Sequence, residues 1–293
     1  MILLPDHFWQ QVKATTENAT ASGALQPIPT AYEVIPCQGI PFLVRILTTL
    51  IQKEEAKAQQ AQQKQKTGRD FDPFLPYEED LFVSDISDTH LCLLNKYNVV
   101  ENHLLIVTRK FEAQENLINY ADLTALCACL KNVNGFAFYN SSKRSGASVS
   151  HKHLQLIPNA LAPDFEELPI TTALKTTQFF QGIQDIPIFP FHHAFSWLNL
   201  DWTATPETVA QNVLETYKQL LEIIHDESGV AYNFLMTRHW MLLVPRHQEK
   251  YQSIGINSLG FAGALLVKNQ EELQLVKEQT PLKILTAVAK EKR

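Results

Sequence analysis

The sequence predicts an α+β fold: an antiparallel sheet with flanking helices, built from two related halves. Three observations carry this. Short apolar runs come in pairs joined by polar turns, as in HLCLLNK and NHLLIVTR around YNVVE, GFAFYN and GASVSHKHLQLIP around SSKRSGAS, and the two halves of YNFLMTRHWMLLVPR around Thr237-Arg238. Strands this close along the chain pair antiparallel. Two longer segments, around 121–132 and from Thr205 onward, repeat apolar residues at helical spacing. Finally, LLNKYNVVENHLLIVTR and NFLMTRHWMLLVPR run alike, strand, turn, strand, and close on Arg109 and Arg246. An internal duplication accounts for that likeness, and so does chance between two amphipathic hairpins.

In chain order, residues 6–20 read as a first helix, and ASGALQPIPTAYEVIPCQGIP, rich in proline and glycine, as irregular structure with short extended pieces. Residues 51–70 hold helix formers but no apolar stripe, which predicts a solvated helix or flexible insert outside the core. FDPFLPYEEDLFVSDIS reads as a packed loop. Strands follow at the two paired runs, then the helix around 121–132, GFAFYN and the strand that ends HKHLQLIP. After a proline-rich connection, HHAFSWLNL reads as a strand. Thr205 is a good N-cap and Pro206 suits the first helical position, with Val209, Val213, Tyr217, Leu220, Leu221 and Ile224 forming one apolar face. The last hairpin, a glycine-bearing stretch and a short terminal helix close the chain. The expected division is 1–168, which carries the HKH strand and the insert, and 169–293.

With 45% hydrophobic residues the chain can bury a substantial core, so disorder over most of its length is excluded. A formal charge of −6 argues against a protein that grips nucleic acid through its phosphates. Any phosphate site must be local, which favours a small ligand. Cys37, Cys92, Cys127 and Cys129 form no CxxC pair, and a reducing, cytoplasmic setting is expected. Cys127 shares helical spacing with Leu123, Leu126 and Leu130 and reads as core. MILLPDHFWQ lacks the basic start of a signal peptide. The longest apolar runs fall far short of the roughly 18 residues that span a bilayer, so no membrane association is expected.

The chemistry concentrates in GASVSHKHLQLIP. Alternation along a strand sends His151, His153 and Gln155 to one face and Lys152, Leu154 and Leu156 to the other. The preceding loop offers hydroxyls at Ser141, Ser142, Ser145 and Ser148, a turning glycine at Gly146, and two cations, Lys143 and Arg144. Exposed amides in such a turn hold anions. Neutral imidazole attacks phosphorus well, and an amide such as Gln155 can donate to a phosphoryl oxygen but cannot serve as a base near neutral pH. From the residues alone three roles stay open: a nucleophile, a zinc site and a plain strand. Zinc would need a third ligand among His192, His193, His239 and His247, and no CxxC or HExxH spacing supports it.

G-A-S-x-x-H-K-H-L-Q resembles the histidine-triad superfamily, in the transferase branch that carries Gln in third place. Together with DPFLPYEEDLFV, HLCLLNKYNVVENHLLIVTRKFE, HHAF, YNFLMTRHWMLLVPR and INSLGFAGALLV in that order, it is similar over most of the chain to the ATP adenylyltransferases, also called diadenosine tetraphosphate phosphorylases. The resemblance implies a histidine-triad-like fold and a covalent AMP–histidine intermediate on His153, with His151 in support and Gln155 on the reacting phosphate. It implies nucleotide and phosphate contacts from Lys53, Asn140, Ser145, Gly146, Ala147 and Ser148, and from Asn233, Thr237 and Met241 in the second half, which would complete the nucleotide site. Its substrates would be diadenosine tetraphosphate and phosphate, giving ATP and ADP reversibly. Adenosine phosphosulfate would be a second substrate. No tightly bound cofactor is implied, and magnesium would accompany the polyphosphate. Members of the family often carry Gln-Pro before the first histidine and Gly-Pro early in the loop. Val149-Ser150 and Ser142-Lys143 stand there instead, which predicts a less rigid approach to His151. A hexose-phosphate uridylyltransferase would share the nucleophile but should show metal-ligating cysteines. A nucleotide-binding protein without catalysis would keep the loop and lack turnover.

Overall fold

Paired apolar runs become neighbouring strands because each buries one face while satisfying its backbone against the next. A computed structural model of the chain describes residues 1–48, 72–179, 182–225 and 231–292. The expected 51–70 insert and Lys53 lie outside them.

Helix α1 (Phe8–Ser22) stops at Gly23, whose φ of 77° suits glycine. Strands β1 (Thr30–Cys37) and β2 (Ile40–Leu47) then form a hairpin over Gln38 and Gly39, both with positive φ. Sequence reasoning expected irregular structure with only short extended pieces here, and the two strands run eight residues each. The prolines mislead because Pro36 lies in β1, the edge of its sheet, and Pro41 lies in β2 ahead of Leu43, where the pairing with β14 begins, so neither missing N–H leaves a ladder bond unmade. The first half continues with β3 (Phe82–Asp85), β4 (His90–Leu94), β5 (Leu104–Thr108), α2 (Tyr120–Asn132), β6 (Gly135–Asn140) and β7 (His153–Pro158). The second supplies α3 (Thr171–Leu174), β8 (Gly182–Gln184), β9 (Ala194–Trp197), α4 (Pro206–Ile224), β10 (Tyr232–Met236) and β11 (Trp240–Pro245). After the small hairpin β12 (Lys250–Tyr251) and β13 (Ile254–Gly255) come α5 (Ser258–Phe261), β14 (Ala264–Val267), α6 (Gln270–Gln279) and α7 (Pro281–Val288). The strand expected over 192–200 shrinks to β9 because its flanks bond elsewhere: His192 N–H donates to Lys290 and Leu198 N–H to His239.

Nine strands form one sheet in the order β3-β4-β5-β7-β6-β10-β11-β9-β8, antiparallel throughout. Within it β4-β5-β7-β6 and β8-β9-β11-β10 repeat one pattern, with a helix between the second and third strand of each half in chain order. The halves meet at β6 and β10, where Phe138 faces Leu235. Shared chain order and shared spatial order favour duplication over chance.

Helices α2 and α4 cover one face, where Leu123, Leu126, Cys127, Val209, Val213 and Tyr217 pack on Leu154, Leu156, Met241 and Leu243. Asn119 caps α2 in a reciprocal box with Asp122, and Thr205 caps α4 ahead of Pro206, as expected for the latter. Phe136, Phe138, Leu235, Leu242 and Val244 form a second core on the opposite face. The two faces of β7 therefore differ: its leucines look to the helices, and His153 and Gln155 look away.

Candidate active site

His153 opens β7 and is 5% exposed. Its Nδ1 lies 2.8 Å from the carbonyl oxygen of His151. A carbonyl only accepts, so the proton sits on Nδ1 and the lone pair on Nε2, which has no partner among the described residues. Burial pushes the ring's pKa down to about 4. The bond to the His151 carbonyl opposes that shift and the neighbouring His151 ring adds to it. The outcome is a neutral imidazole with a free nitrogen at pH 7.

His151 is fully buried just before β7 and pairs with Ala113 across an isolated bridge. Its Nδ1 lies 2.8 Å from Asp72 Oδ2, and its Nε2 lies 2.8 Å from the Thr108 carbonyl and 2.9 Å from Thr108 Oγ1. Phe74 meets both histidine rings edge-on, at centroid distances of 5.5 Å and 5.4 Å. Gln155 Oε1 accepts from His103 Nε2 at 2.8 Å. That bond leaves the Gln155 amide nitrogen as a donor without a protein partner among the described residues. Burial lowers the His103 pKa to about 4 against the pull of Gln155, and Asn95 sits 3.2 Å from its other nitrogen.

The rear of the same strand is charged. Lys152 Nζ, with no exposure, sits 2.6 Å from Asp122 Oδ2 and donates to the Leu117 carbonyl at 2.9 Å. Asp122 also receives His90 Nε2 at 3.0 Å. Burial alone would push the Asp122 carboxyl up, but His90, Lys152 and the Asn119 N–H outweigh it and hold the pKa down. Sequence alternation sent Lys152 to the core side, and Asp122 is what lets a charge stay there.

Gln114 ties the front together. Its Oε1 accepts from His153 N–H at 2.9 Å, its amide donates to the Asn140 carbonyl at 2.8 Å, and its own N–H donates to the Ser150 carbonyl at 2.8 Å. These bonds tether the approach through Val149-Ser150. Gln114, not a proline, holds the turn, and Val149 packs against the small cluster around Phe74.

Asn140, Ser145 and Asn233 do come together, as a buried framework. Asn140 Oδ1 accepts from Asn233 Nδ2 at 2.8 Å and from the Ser258 N–H at 2.9 Å, while Asn233 Nδ2 also reaches the Ser145 carbonyl at 2.8 Å. Arg246 is fully buried behind them and donates to Asn233 Oδ1 at 2.7 Å, to Ile256 O at 2.9 Å and to Gln248 O at 2.7 Å. Desolvation lowers its pKa to about 9, which leaves it charged at neutral pH. Gly146 has φ 96°, and a Cβ there would stand 2.7 Å from Asn257 Cβ. Only glycine lets the loop lie this close to the second half. Ala147 is half-buried, and Lys143, Arg144 and Ser148 are exposed along the same loop.

Thr237 and Met241 do not join the cluster. The β6–β10 register sets Asn233 opposite Asn140 but Met236 opposite Ala137, and Met241 pairs with Met236. Thr237 is thus about 13 Å further along the strand at the usual rise per residue. Met241 is wholly buried in the helix-side core. The site residues that sequence reasoning did not single out are Asp72, His103, Thr108 and Gln114, and Arg246 was read only as the close of a hairpin. For His103 a signal was present, a polar ring at the start of an otherwise apolar strand.

This fold sets a neutral histidine with an open Nε2 beside a hydroxyl-rich loop, an arrangement suited to nucleophilic attack on phosphorus. The profile of the Ap4A phosphorylase N-terminal domain matches residues 1–176, and that of the ATP adenylyltransferase C-terminal domain matches residues 187–291. The chain belongs to the Ap4A phosphorylase family. It is 27% identical over 273 residues to Protein APA1 of Saccharomyces cerevisiae, covering 84% of this chain and 82% of that protein. It is 27% identical over 238 residues to diadenosine 5',5'''-P1,P4-tetraphosphate phosphorylase 2 of the same yeast, covering 72% and 73%. The crystal structure of yeast Ap4A phosphorylase Apa2 in complex with Ap4A shares the fold, with a TM-score of 0.78 at 22% identity over 98% of each chain. Among the described residues no helix is long and apolar enough to cross a membrane.

Proposed function

We propose that this chain is an ATP adenylyltransferase that phosphorolyses diadenosine tetraphosphate to ATP and ADP, reversibly, through AMP bound covalently to His153. The observation that carries this reading is the His153 ring, whose Nδ1–H is committed to the His151 carbonyl while Nε2 meets no partner among the described residues.

Nε2 attacks the α-phosphorus of one adenylyl group. The bond from that phosphorus to the bridging oxygen breaks and ATP leaves. An oxygen of inorganic phosphate then attacks the same phosphorus, the P–N bond breaks, and ADP departs with Nε2 restored. Two easier displacements replace one. The Gln155 amide donates to a non-bridging oxygen as charge develops. Because an amide activates water poorly, phosphate is favoured as the second nucleophile. Adenosine phosphosulfate would enter by the same first step with sulfate as leaving group. Asn140, Ser145 and Asn233 shape the nucleotide loop from behind, while Gly146, Ala147, Ser148 and Lys53 meet the substrate. Magnesium accompanies the polyphosphate. Among the described residues no group of three or more His, Cys, Asp or Glu side chains could hold a metal ion, so phosphate oxygens and water would be its ligands. Four unpaired cysteines fit a reducing, cytoplasmic setting.

The test is intact mass after mixing enzyme with diadenosine tetraphosphate without phosphate. A gain of one adenylyl group is expected, lost in His153→Ala and discharged as ADP when phosphate is added. Normal phosphorolysis by His153→Ala would overturn the assignment.

A further inference from the structure

We propose that Asp72 is a positioning residue for this transfer, acting on His153 through His151; the inference rests on the adenylyltransferase reading. Asp72 is bonded on both carboxylate oxygens. Oδ1 accepts the Phe74 N–H at 2.9 Å, which closes the Asp72-Pro73-Phe74 turn, and Oδ2 lies 2.8 Å from His151 Nδ1. A carboxylate only accepts, so His151 donates from Nδ1. The turn sets Phe74 against both histidine rings, and the His151 carbonyl holds the Nδ1–H of the nucleophile at 2.8 Å. One side chain thus fixes the supporting ring and the aromatic wall beside the attacking ring. Through His151 it also orients the carbonyl that selects the nucleophile's tautomer. Ring, wall and carbonyl together fix the direction in which Nε2 points, without Asp72 itself meeting the His153 ring.

Asp72→Asn separates geometry from charge. The Asn oxygen can still accept the Phe74 N–H, and its amide can donate to His151 Nδ1. His151 then carries its proton on Nε2, donating to the Thr108 carbonyl 2.8 Å away. Asp72→Ala removes both bonds.

In phosphorolysis assays Asp72→Ala should lower kcat by about tenfold to a hundredfold, the size expected from a small misplacement of a reacting group. KM should change by less than about threefold, because only the reacting atom is misplaced. Asp72→Asn should recover most of that loss. Wild-type kcat in the alanine variant, or equal loss in both variants, would overturn the proposal. A second readout needs neither turnover nor a folded alanine variant. Side-chain 15N–1H correlation spectra should show His151 protonated at Nδ1 in wild type and unprotonated there in Asp72→Asn. An unprotonated Nδ1 in wild type would overturn the proposal by itself. If wild-type enzyme forms no adenylyl adduct, the function reading has failed, and the spectra judge the Asp72–His151 bond separately.

Discussion

Strands β7 and β11 hold the same place in the two halves of the sheet, yet only β7 carries the histidine and glutamine of the proposed site. Each runs to a proline that faces the first residue of its neighbour, Pro158 opposite Gly135 and Pro245 opposite Tyr232. Five residues before that proline stand His153 in one half and Trp240 in the other, and three before it stand Gln155 and Leu242. The second half has filled its cleft with apolar side chains, and both Trp240 and Leu242 are buried in the second core. Its polar residues have become framework: Asn233 and Arg246 reach across to brace the loop ahead of His153. One more histidine makes the difference sharper. His193 donates from Nδ1 to the Phe191 carbonyl at 2.8 Å, as His153 does to His151, and burial pushes its pKa down too. But its Nε2 accepts the Ile186 N–H at 2.8 Å. The two rings share a tautomer and differ in what the second nitrogen faces. What sets the proposed nucleophile apart is a second nitrogen that meets no described residue.

The largest effect should separate those two rings. His153→Ala should reduce phosphorolysis by more than about a thousandfold, the scale of losing a covalent catalyst. His193→Ala should keep kcat and instead lower stability by about 1–3 kcal/mol, because the Ile186 N–H loses its acceptor inside the protein. Paired kinetics and urea unfolding read both. If His193→Ala abolished turnover with the fold intact, the comparison would collapse.

The closing arginines should differ as well. Removing Arg246 leaves the Ile256 and Gln248 carbonyls and the Asn233 oxygen without their Arg246 donor in a dry interior, and leaves the Ser145 carbonyl to Asn233 alone. Arg246→Met should destabilise by about 3 kcal/mol or more. A KM rise should accompany that loss if the loop braced by Ser145 shapes the nucleotide site. Differential unfolding together with KM for diadenosine tetraphosphate checks this, and an unchanged KM would detach Arg246 from the site.

The same buried rings predict how acid acts. His103 and His153 sit near pKa 4 when folded, against an ordinary 6.5. The unfolded chain therefore binds protons first as pH falls. Their stabilisation is whole above about 6.5 and is lost between there and about 4, at roughly 3 kcal/mol per ring. Denaturant midpoints from pH 7 to 4.5 should fall accordingly. The acid limb of kcat/KM should sit near 4, well below that of an exposed histidine. An acid limb near 6.5 would mean that the nucleophile is not the dry, neutral ring described above.

How much of this was legible follows from the range of each interaction. Period-two alternation is local, so the faces of His153, Gln155, Lys152 and Leu154 could be read from sequence, as could the cap at Thr205-Pro206. The hairpin β1–β2 was hidden, because whether a proline is tolerated in a strand depends on which neighbours pair at that position. The partners Asp72, Gln114, His103 and Arg246 stand 79, 39, 52 and 101 residues from the groups they serve, and no spacing rule reaches that far. Met241 failed for a related reason. The hairpin that carries it was recognised, but its parity relative to Asn233 sends it to the helices.

The smallest effect tests the other end of the duplication. Arg109 closes the first half as Arg246 closes the second, but it is about a third exposed, paired with the half-exposed Asp85 and donating from Nε to the Ser87 carbonyl at 3.0 Å. Water can replace those partners, and solvent screens the pair, so Arg109→Ala should cost about 0.5–1 kcal/mol and leave kcat and KM alone. Urea unfolding of Arg109→Ala beside Arg246→Met makes the contrast quantitative. A loss above about 2 kcal/mol at Arg109 would show that the two arginines still perform one structural task, and that the second half became framework without changing what its arginine does.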